Sequence, residues 1–345
     1  MMNKIKITTL SPLCIGSGGV MNSITDYIIE GKKFHYVDKQ FVANKLAEDD
    51  ALMDRYIQGV ANGMDNNTTI FNLKDFLKNS LRLHPKEYIR DTVDILKVEG
   101  KKEVNNIIKD AKHRPYIPGS TLKGAIKTAF LYDWLLKEHN NFNVFDNQLD
   151  EQLKKYNISI HDTNSIDTSH CNILETKRLN LISGNYTISQ TWEAVVENSS
   201  FNTEIWNLKY NDRENEKSYN WEEFCRIINQ FTKDQNIRER DILENLGEEL
   251  DDGLNNSLLD FYADMNDTIV DNPKTAFLRI GSGKGYYHNS VGLALYKKDK
   301  NRFLEFLKKN KVVKRNHSDV EKFPITRPVE IANTKPLGLI KIELK

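Results

Sequence analysis

The sequence has few cysteines, no net charge and no long hydrophobic run. Its three cysteines, Cys14, Cys171 and Cys225, are odd in number and far apart, which excludes a disulfide framework or a CxxC metal knuckle and fits a reducing compartment. The amino terminus lacks the apolar run of a signal peptide, and no stretch reaches the roughly 18 apolar residues of a membrane-spanning helix. The sequence therefore predicts a soluble, cytoplasmic protein with no membrane partner.

Charge is balanced over the whole chain but not along it. The 49 Lys and Arg residues equal the 49 Asp and Glu residues in number, so contact with nucleic acid would need a local basic patch. Residues 237–271 hold eleven acidic side chains, and residues 297–315 hold nine Lys and Arg. These patterns predict an acidic helical face or partner surface in the first segment and a basic helix in the second.

The 345 residues suggest about two domains at roughly 150 residues each. Strands are predicted at residues 4–10, 275–280 and 336–344. Two hairpins are predicted, one from residues 25–30 and 34–37 and one from residues 192–196 and 201–206. Asp38 and Asn72 predict the N-caps of helices that are inserted between strands.

The tetrapeptide Ile-Gly-Ser-Gly occurs at residues 15–18 and again at 280–283, each time after a predicted strand. This recurrence fits two related halves of the chain. The second copy lacks the Walker A and GxGxxG spacings, which argues against a nucleotide triphosphatase. Its glycine amides, Lys284 and two tyrosines suit a loop that grips a phosphodiester and stacks a base. The alternative for both copies is an ordinary tight turn.

The segment from Pro118 to Lys127 predicts a helix start suited to binding a phosphate. Gly119 would allow close backbone approach, and the first amides after Ser120 are free donors. Lys123 and Lys127 lie one turn apart on one helix face. The alternative is an ordinary capped helix with two solvated lysines.

Arg327 follows a proline-stiffened stretch near the carboxyl end of the chain. A guanidinium there could contact RNA phosphate or stack on a base. A salt bridge from Arg327 to the acidic segment at 237–271 is an alternative of nearly equal weight.

No catalytic constellation stands out, since the eight histidines are scattered without HExxH or paired Cys/His spacing. The one metal-like cluster is His161, Asp162, Asp167 and His170, for which a polar loop is the favoured interpretation. A ribonuclease that works without metal would need a general base near a cation. Two adjacent pairs fit that description only by chance: His113 with Arg114, and His288 with Lys284.

Four segments in this order resemble the RAMP superfamily of CRISPR proteins. They are Ile-Gly-Ser-Gly at 15–18, Tyr-Ile-Pro-Gly-Ser-Thr-Leu-Lys-Gly-Ala-Ile-Lys at 116–127, Leu-Arg-Ile-Gly-Ser-Gly-Lys-Gly at 278–285, and Phe-Pro-Ile-Thr-Arg at 323–327 followed by Pro-Leu-Gly at 336–338. The Ile-Pro-Gly-Ser-x-Leu-Lys-Gly element is specific to the superfamily. The order and the Pro-Ile-Thr-Arg element are most similar to the fifth Csm subunit of type III-A effector complexes.

The resemblance implies an α+β fold of two ferredoxin-like (RRM-like) lobes, one over residues 1–190 with a helical insertion near 38–112 and one over 191–345. It implies a guide-RNA (crRNA)-binding end cap of a type III-A complex, needed for crRNA 3′-end maturation and assembly, without nuclease activity of its own. The implied partners are crRNA, the backbone filament subunit, the small subunit and host nucleases. No cofactor and no metal are implied.

Carried onto this sequence, the resemblance and the loops together give a set of expected RNA-binding residues. The set is Gly16, Ser17, Gly18, Gly19, Arg114, Gly119, Ser120, Lys123, Lys127, Gly281, Ser282, Gly283, Lys284, Gly285, Tyr286 and Arg327. The basic members Lys123, Lys127, Lys284 and Arg327 are expected to share a surface that the acidic segment avoids.

Two alternatives assign catalysis instead. One is an endoribonuclease that processes CRISPR repeat RNA without metal, as other RAMP proteins do with a histidine-centred or lysine-centred site. The other is a repeated backbone subunit that cuts target RNA through a loop aspartate, for which Asp26 is the nearest candidate. Because Asp26 falls in a predicted strand, a structural role is favoured for it.

Overall fold

The computed structural model describes residues 2–64, 71–98, 103–137, 148–211, 216–246, 252–309, 312 and 323–345. Within these ranges, helices pack around two sheets, which confirms the predicted α+β class. The strands are β1 Met2–Thr9, β2 Gly16–Asn22, β3 Tyr27–Glu30, β4 Lys33–Val37, β5 Ile89–Ile95, β6 Glu103–Ile107, β7 Tyr156–Ile160, β8 Cys171–Asn180, β9 Tyr186–Val195, β10 Ser200–Asn211, β11 Glu216–Ser218, β12 Ala276–Arg279, β13 Thr326–Glu330, β14 Lys335–Pro336 and β15 Leu339–Leu344. The helices are α1 Lys39–Leu46, α2 Asp50–Met64, α3 Leu73–Asp75, α4 Pro85–Tyr88, α5 Gly119–Lys137, α6 Gln148–Lys155, α7 Trp221–Glu244, α8 Asp252–Asp271, α9 Tyr286–Asn289, α10 Gly292–Lys298 and α11 Lys300–Lys309.

The six-stranded sheet has β1 near its centre. Its order is β11, β10, β1, β15, β12, and β7 also pairs with β10. β1 is antiparallel to both β10 and β15. Ile5 and Ile7 on β1 are buried while Lys4 and Lys6 are exposed, because successive side chains of a strand point to opposite faces. The buried face joins the same apolar core as residues of α5 and α7.

The nine-stranded sheet is mixed and is organised around β8. Its order is β2, β6, β9, β8, β5, β4, β3, with β13 pairing to β8 and β14 to β13. β8 runs antiparallel to β9 and β13 but parallel to β5. The first predicted hairpin is confirmed as β3 and β4.

Helices α1 to α4 lie between β4 and β5, and this insertion packs against Ile28 of β3 and Val37 of β4 in a small apolar cluster that also includes Leu46 and Tyr88. The predicted N-caps are confirmed: Asp38 accepts from the Phe41 N–H at 3.0 Å, and Asn72 accepts from the Asp75 N–H at 3.2 Å. The described helices of the insertion end at Tyr88, after which β5 and β6 return to the nine-stranded sheet.

The second predicted hairpin, at residues 192–196 and 201–206, is wrong because its two strands enter different sheets. β9 pairs with β8, whereas β10 pairs with β1. At the turn between them, Asn198 has a φ of 62° and its N–H donates to the Thr9 carbonyl at 2.8 Å. The turn is a local property of the sequence, but the partner of each strand is set by distant residues.

The two charged segments each form more than one helix. The acidic segment covers the end of α7 and all of α8, and its residues 247–251 lie outside the described residues. The basic segment is split at Asp299, whose carboxylate accepts from the Arg302 N–H at 3.0 Å and caps α11. Residues 310, 311 and 313–315 of that segment lie outside the described residues.

Both sheets take strands from each side of residue 190. The six-stranded sheet combines β1 and β7 with β10, β11, β12 and β15, and the nine-stranded sheet receives β13 and β14 from the far end of the chain. The division into lobes at residues 190 and 191 stays a prediction.

Candidate nucleic-acid interface

The start of α5 is occupied by a carboxylate of the protein itself. The N–H of Gly119 donates to Asp162 Oδ1 at 2.7 Å. A Cβ on Gly119 would lie 2.4 Å from the Ile160 carbonyl oxygen, so glycine is required here by the close approach of the end of β7. A carboxylate at a helix N-terminus satisfies the same donors that a phosphate would. The capped-helix alternative is therefore the one the structure shows at Gly119.

The two lysines on α5 differ in their surroundings. Lys123 is exposed, whereas Lys127 is half-buried and its Nζ donates to the Leu153 carbonyl at 3.2 Å. Burial and then the charge of Lys123 lower the pKa of Lys127 below its ordinary value. The two ammonium groups thus lie near each other, as the spacing predicts, and Lys123 with the neighbouring Ser120 faces solvent.

The second Ile-Gly-Ser-Gly copy packs against the protein's own backbone. The N–H and hydroxyl of Ser282 donate to the Cys14 carbonyl at 2.8 and 2.9 Å. A Cβ on Gly281 would lie 2.4 Å from that oxygen, and a Cβ on Gly283 would lie 2.5 Å from the Leu337 carbonyl oxygen. The glycines at 281 and 283 therefore serve close backbone packing, which is the tight-turn alternative.

The side chains that follow this copy are largely enclosed. Burial lowers the pKa of Lys284 below its ordinary value. The ring of Tyr286 contacts that of Phe323 with centroids 4.9 Å apart, and burial raises the pKa of Tyr286. Tyr287 is 2% exposed. These rings belong to an internal aromatic cluster, so the predicted base-stacking role is not the arrangement seen.

Arg327 on β13 is engaged inside the protein. Its side chain is 8% exposed and forms an ion pair with Glu239 of α7. Its Nη1 also donates to the Thr326 carbonyl at 3.2 Å. The salt bridge to the acidic segment is the alternative that the structure confirms. Lys123, Lys127, Lys284 and Arg327 were expected to share a surface that the acidic segment avoids. This expectation is wrong for Arg327, because Arg327 pairs with Glu239 of that segment.

The first Ile-Gly-Ser-Gly copy is a bulged strand rather than a loop. Gly16 to Val20 are exposed, and the register of β2 against β6 shifts between these two residues. Gly18 has a φ of 86° and open space where a Cβ would lie. Ser17 on this strand lines a cleft of about 330 Å³.

This cleft gathers ionisable side chains from segments that are distant in sequence. Its lining includes Asp26, Lys39, Arg90, Lys109, Asp110, His113 and Glu193. Lys39 binds Asp26 at 2.8 Å, and Lys109 forms an ion pair with Glu193, which is fully buried and also accepts from the Tyr36 hydroxyl. The sequence patterns missed the three cations because no motif joins positions so far apart.

Arg114 lies at the rim of the cleft, where it pairs with Asp110, one of the residues that line the cleft. The guanidinium binds the Asp110 carboxylate at 3.1 and 3.0 Å. The Arg114 N–H and then the Ser165 hydroxyl hold the pKa of Asp110 well below its usual range. Arg114 remains 44% exposed as a side chain, so this pair still faces solvent.

Asp26 lies in the turn between β2 and β3, not in a strand as the sequence predicts. Its carboxylate accepts from the Asn22 N–H at 2.8 Å and from Lys39 Nζ at 2.8 Å. Both of its oxygens are therefore used to hold the turn and the start of α1.

The histidine candidates separate into different environments. Burial and then the charges of Arg90 and Lys109 lower the pKa of His113. His288 is 4% exposed. The metal-like cluster is dispersed: Asp162 caps α5, Asp167 accepts from the Ser169 N–H, and the His161 ring lies against Trp206. Among the described residues, no group of three or more His, Cys, Asp and Glu could hold a metal ion.

Two other expectations concern cysteines and membranes. Cys14, Cys171 and Cys225 are all buried and free. In the part of the chain that the structure describes, no helix has the length and apolar character needed to cross a membrane.

The family model described as the RAMP superfamily matches residues 6–288, and the chain belongs to that superfamily. The resemblance drawn from the four motifs is thereby confirmed.

Within the superfamily the chain is Csm5-like. It is 25% identical to the CRISPR system Cms protein Csm5 of Methanocaldococcus jannaschii over 99% of this chain and 88% of that protein. It is 33% identical to the Csm5 protein of Streptococcus thermophilus over 37% of each chain.

Two solved structures share the fold. A chain in a cryo-EM structure of a Csm–crRNA–target RNA ternary complex of a type III-A CRISPR-Cas system matches 99% of this chain and 100% of its own length, with a TM-score of 0.72 and 20% identity. The crystal structure of T. onnurineus Csm5 matches 97% of this chain and 99% of its own, with a TM-score of 0.63 and 17% identity.

Proposed function

We propose that this chain is a subunit of a type III-A CRISPR effector complex and that it binds crRNA. The observation that carries the proposal is the match to a Csm5 protein along 99% of the chain, together with membership of the RAMP superfamily. The likeness to a chain of a Csm–crRNA–target RNA complex supports the same assignment. The backbone filament subunit, the small subunit and host nucleases are the proposed protein partners.

The finer proposal is a single copy at one end of the filament, needed for crRNA 3′-end maturation and for assembly, without nuclease activity of its own. The contacts of the candidate catalytic groups support this role. Asp26 is held by Lys39, Arg114 is held by Asp110, and His288 is buried. Asp26 and Arg114 are thus each paired with an oppositely charged side chain, and His288 is enclosed.

The proposed RNA surface combines the exposed part of β2 with the start of α5. Ser17 and Gly18 face solvent beside the cleft, and Ser120 and Lys123 face solvent on α5. Arg114 lies in the segment that joins the cleft to α5. Arg327 is left out because its charge is balanced inside the protein.

The proposal is tested by purifying the tagged chain from cells that express the whole complex and a CRISPR array. We expect short crRNA species and several Csm subunits to co-purify. Recovery of the folded chain with neither RNA nor partners would contradict the proposal.

Lys123→Ala tests the α5 contact by the salt dependence of RNA binding. Neutralising one phosphate contact should weaken binding and reduce the slope of log affinity against log salt by about one. Lys86→Ala, an exposed lysine on α4, is the matched control and should leave both unchanged. Equal effects of the two variants would remove α5 from the RNA surface.

The ribonuclease alternative is tested with the same purified chain and repeat RNA in the presence of a chelator. Our proposal predicts no cleavage. Cleavage that His113→Gln abolishes would replace the non-catalytic role with a processing enzyme, because His113 is the histidine that borders the cleft.

A further inference from the structure

The two faces of the six-stranded sheet have different surroundings. Ile5 and Ile7 of β1 face the core that they share with α5 and α7, so Lys4 and Lys6 lie on the opposite face, which we call the outer face. Residues directly opposite each other in an antiparallel pair share a face, so the strand register extends the outer face across the sheet. At the β12 end, Phe277 packs there with residues of α8. The part formed by β1, β10 and β7 carries exposed side chains.

An exposed tryptophan lies on this part of the outer face. Trp206 of β10 is opposite Ser159 of β7 and two residues from Glu204, the partner of Lys4. It is 39% exposed. Its ring centroid is 4.1 Å from that of His161, so no third ring fits between them. A further planar group can therefore stack only on the exposed part of the indole.

The surroundings of Trp206 are polar and carry free cations. Beside His161 is a shallow depression of about 370 Å³ whose lining includes Lys4 and Asn202. On the same face, Lys341 pairs with Glu343, whereas neither Lys4 nor Lys6 forms an ion pair with a carboxylate of the described residues. Both of these ammonium groups are exposed and can accept a phosphate as partner.

The depression begins next to the start of α5. The N–H of Gly119 donates to Asp162, the residue after His161, at 2.7 Å. A Cβ on Gly119 would lie 2.8 Å from the His161 carbonyl oxygen. Because Ser120 and Lys123 face solvent on the same helix, the outer face continues the proposed RNA surface rather than forming a separate one.

We propose that Trp206 is a stacking platform for an unpaired base of bound RNA and that Lys4 and Lys6 bind the phosphates beside that base. The proposal rests on the proposed RNA-binding function and adds the residue that holds a base. Every base has a π-face, so stacking on an indole does not depend on sequence, and nearby cations retain the backbone. This combination suits a single strand, whose bases are free to turn outward.

The chemistry of the outer face favours RNA over a protein partner. The centre of a protein interface is apolar and depleted of charged residues. Around Trp206 the outer face instead presents Ser159, His161 and Glu204, with Lys4 and Lys6 beyond them. One aromatic ring among polar and cationic side chains is the composition of a site that binds single-stranded nucleic acid.

The test compares two single-stranded RNAs of equal length, one normal and one abasic, in binding to the purified full chain. Removing the bases should weaken wild-type binding roughly 10-fold. Trp206→Leu should lose most of this difference. Tyr186→Leu is the matched control, since Tyr186 is a 38% exposed aromatic residue on β9 of the other sheet, and it should keep the difference.

The outcomes separate this inference from the proposed function. Wild-type chain that binds both RNAs equally, or Trp206→Leu that keeps the full difference, overturns the platform and leaves RNA binding intact. Binding of neither RNA by the wild type overturns both. Trp206→Leu that binds both RNAs as the wild type does, but no longer co-purifies with other Csm subunits, would assign the outer face to a protein partner.

Lys4→Ala separates the phosphate contact from stacking. It should reduce the slope of log affinity against log salt by about one and keep the difference between normal and abasic RNA. Lys86→Ala on α4 is again the control and should change neither. An unchanged slope in Lys4→Ala would remove Lys4 from the site.

Photocrosslinking of the wild-type chain gives a test that does not depend on a variant folding. RNA that carries 5-iodouridine is bound, irradiated and digested, and the crosslinked peptides are identified by mass spectrometry. We expect a peptide that contains Trp206. Crosslinks confined to other aromatic residues, such as Tyr186, would overturn the proposal.

Discussion

The two Ile-Gly-Ser-Gly copies have the same four residues but different structures. The first copy, at 15–18, leads into the bulged edge strand β2, and its last three residues, Gly16, Ser17 and Gly18, are exposed. The second, at 280–283, enters a tight turn in which Gly281 has a φ of 77° and lies against the Cys14 carbonyl. In both copies the isoleucine is buried, at 9% and 0% exposure. In both copies the chain thus passes from a buried isoleucine to the glycines. The neighbouring residues decide whether those glycines are exposed or packed against backbone.

The two copies also lie against each other. Ser282 of the second copy donates twice to the carbonyl of Cys14, the residue before the first copy. A Cβ on Gly281 would be 3.4 Å from Ile15 Cγ1. The second copy supports the backbone from which the first one projects, whereas Gly16, Ser17 and Gly18 of the first copy face solvent.

The largest expected difference between the copies comes from adding a methyl group to each. Gly281→Ala should lower the free energy of unfolding by about 3 kcal/mol, because it combines a left-handed backbone with a clash against the Cys14 carbonyl. Gly18→Ala should cost about 1 kcal/mol, because only the backbone conformation is unfavourable there. Denaturant titration of the two variants and the wild type measures both values.

Equal losses in Gly281→Ala and Gly18→Ala would break the comparison. They would mean that backbone conformation alone matters and that the contact with Cys14 does not.

The next effect concerns the histidines near each copy. Burial and neighbouring cations hold the pKa of His288 well below its ordinary value. Its contribution to stability is present above the unfolded pKa of about 6.5 and is lost as pH falls below it, because the unfolded chain then binds a proton that the folded chain does not. The loss has a limit of about 1.4 kcal/mol per pH unit.

Unfolding of the wild type and of His288→Gln at pH 7.5 and pH 5.5 measures this contribution. The variant should show a weaker loss between the two pH values. His113→Gln is the control beside the first copy and should change the pH dependence less, because His113 is only partly desolvated. A larger effect of His113→Gln than of His288→Gln would contradict the attribution of this pH dependence to His288.

The smallest effect comes from the two serines. Ser282→Ala removes a hydroxyl donor to the Cys14 carbonyl and should cost about 1 kcal/mol of unfolding free energy. Ser17→Ala should stay within about 0.5 kcal/mol, since its hydroxyl is exposed and its contact with the Asn106 carbonyl is long, at 3.4 Å. Denaturation curves of the two variants under one set of conditions check the ranking, and a costlier Ser17→Ala would count against it.

Local chemistry was enough to predict several features of the fold. The caps Asp38 and Asn72, the β3–β4 hairpin and the helix that begins at Gly119 depend on residues a few positions apart. The family could also be predicted, because the RAMP motifs are local patterns that occur in a fixed order along the chain. For Arg327, charge alone suggested a salt bridge to the acidic segment as one of two interpretations, and the structure shows that salt bridge.

The rest depended on contacts that the sequence does not express locally. Gly119 is capped by Asp162, a residue 43 positions away. The cleft beside Ser17 draws its cations from α1, β5 and the residues after β6. β9 and β10 resemble a hairpin but find partners in separate sheets. In each case tertiary packing selected one of several structures that the local sequence pattern allows.

The central claim is that this chain binds crRNA through its solvent-facing elements, and crosslinking in the assembled complex tests it most directly. A crRNA carrying photoreactive thiouridine would be crosslinked, digested and mapped by mass spectrometry. We predict crosslinked peptides that contain Ser17 or Lys123, and few from residues 281–283. Crosslinks confined to 281–283, or no crosslink between this chain and the crRNA, would contradict the account.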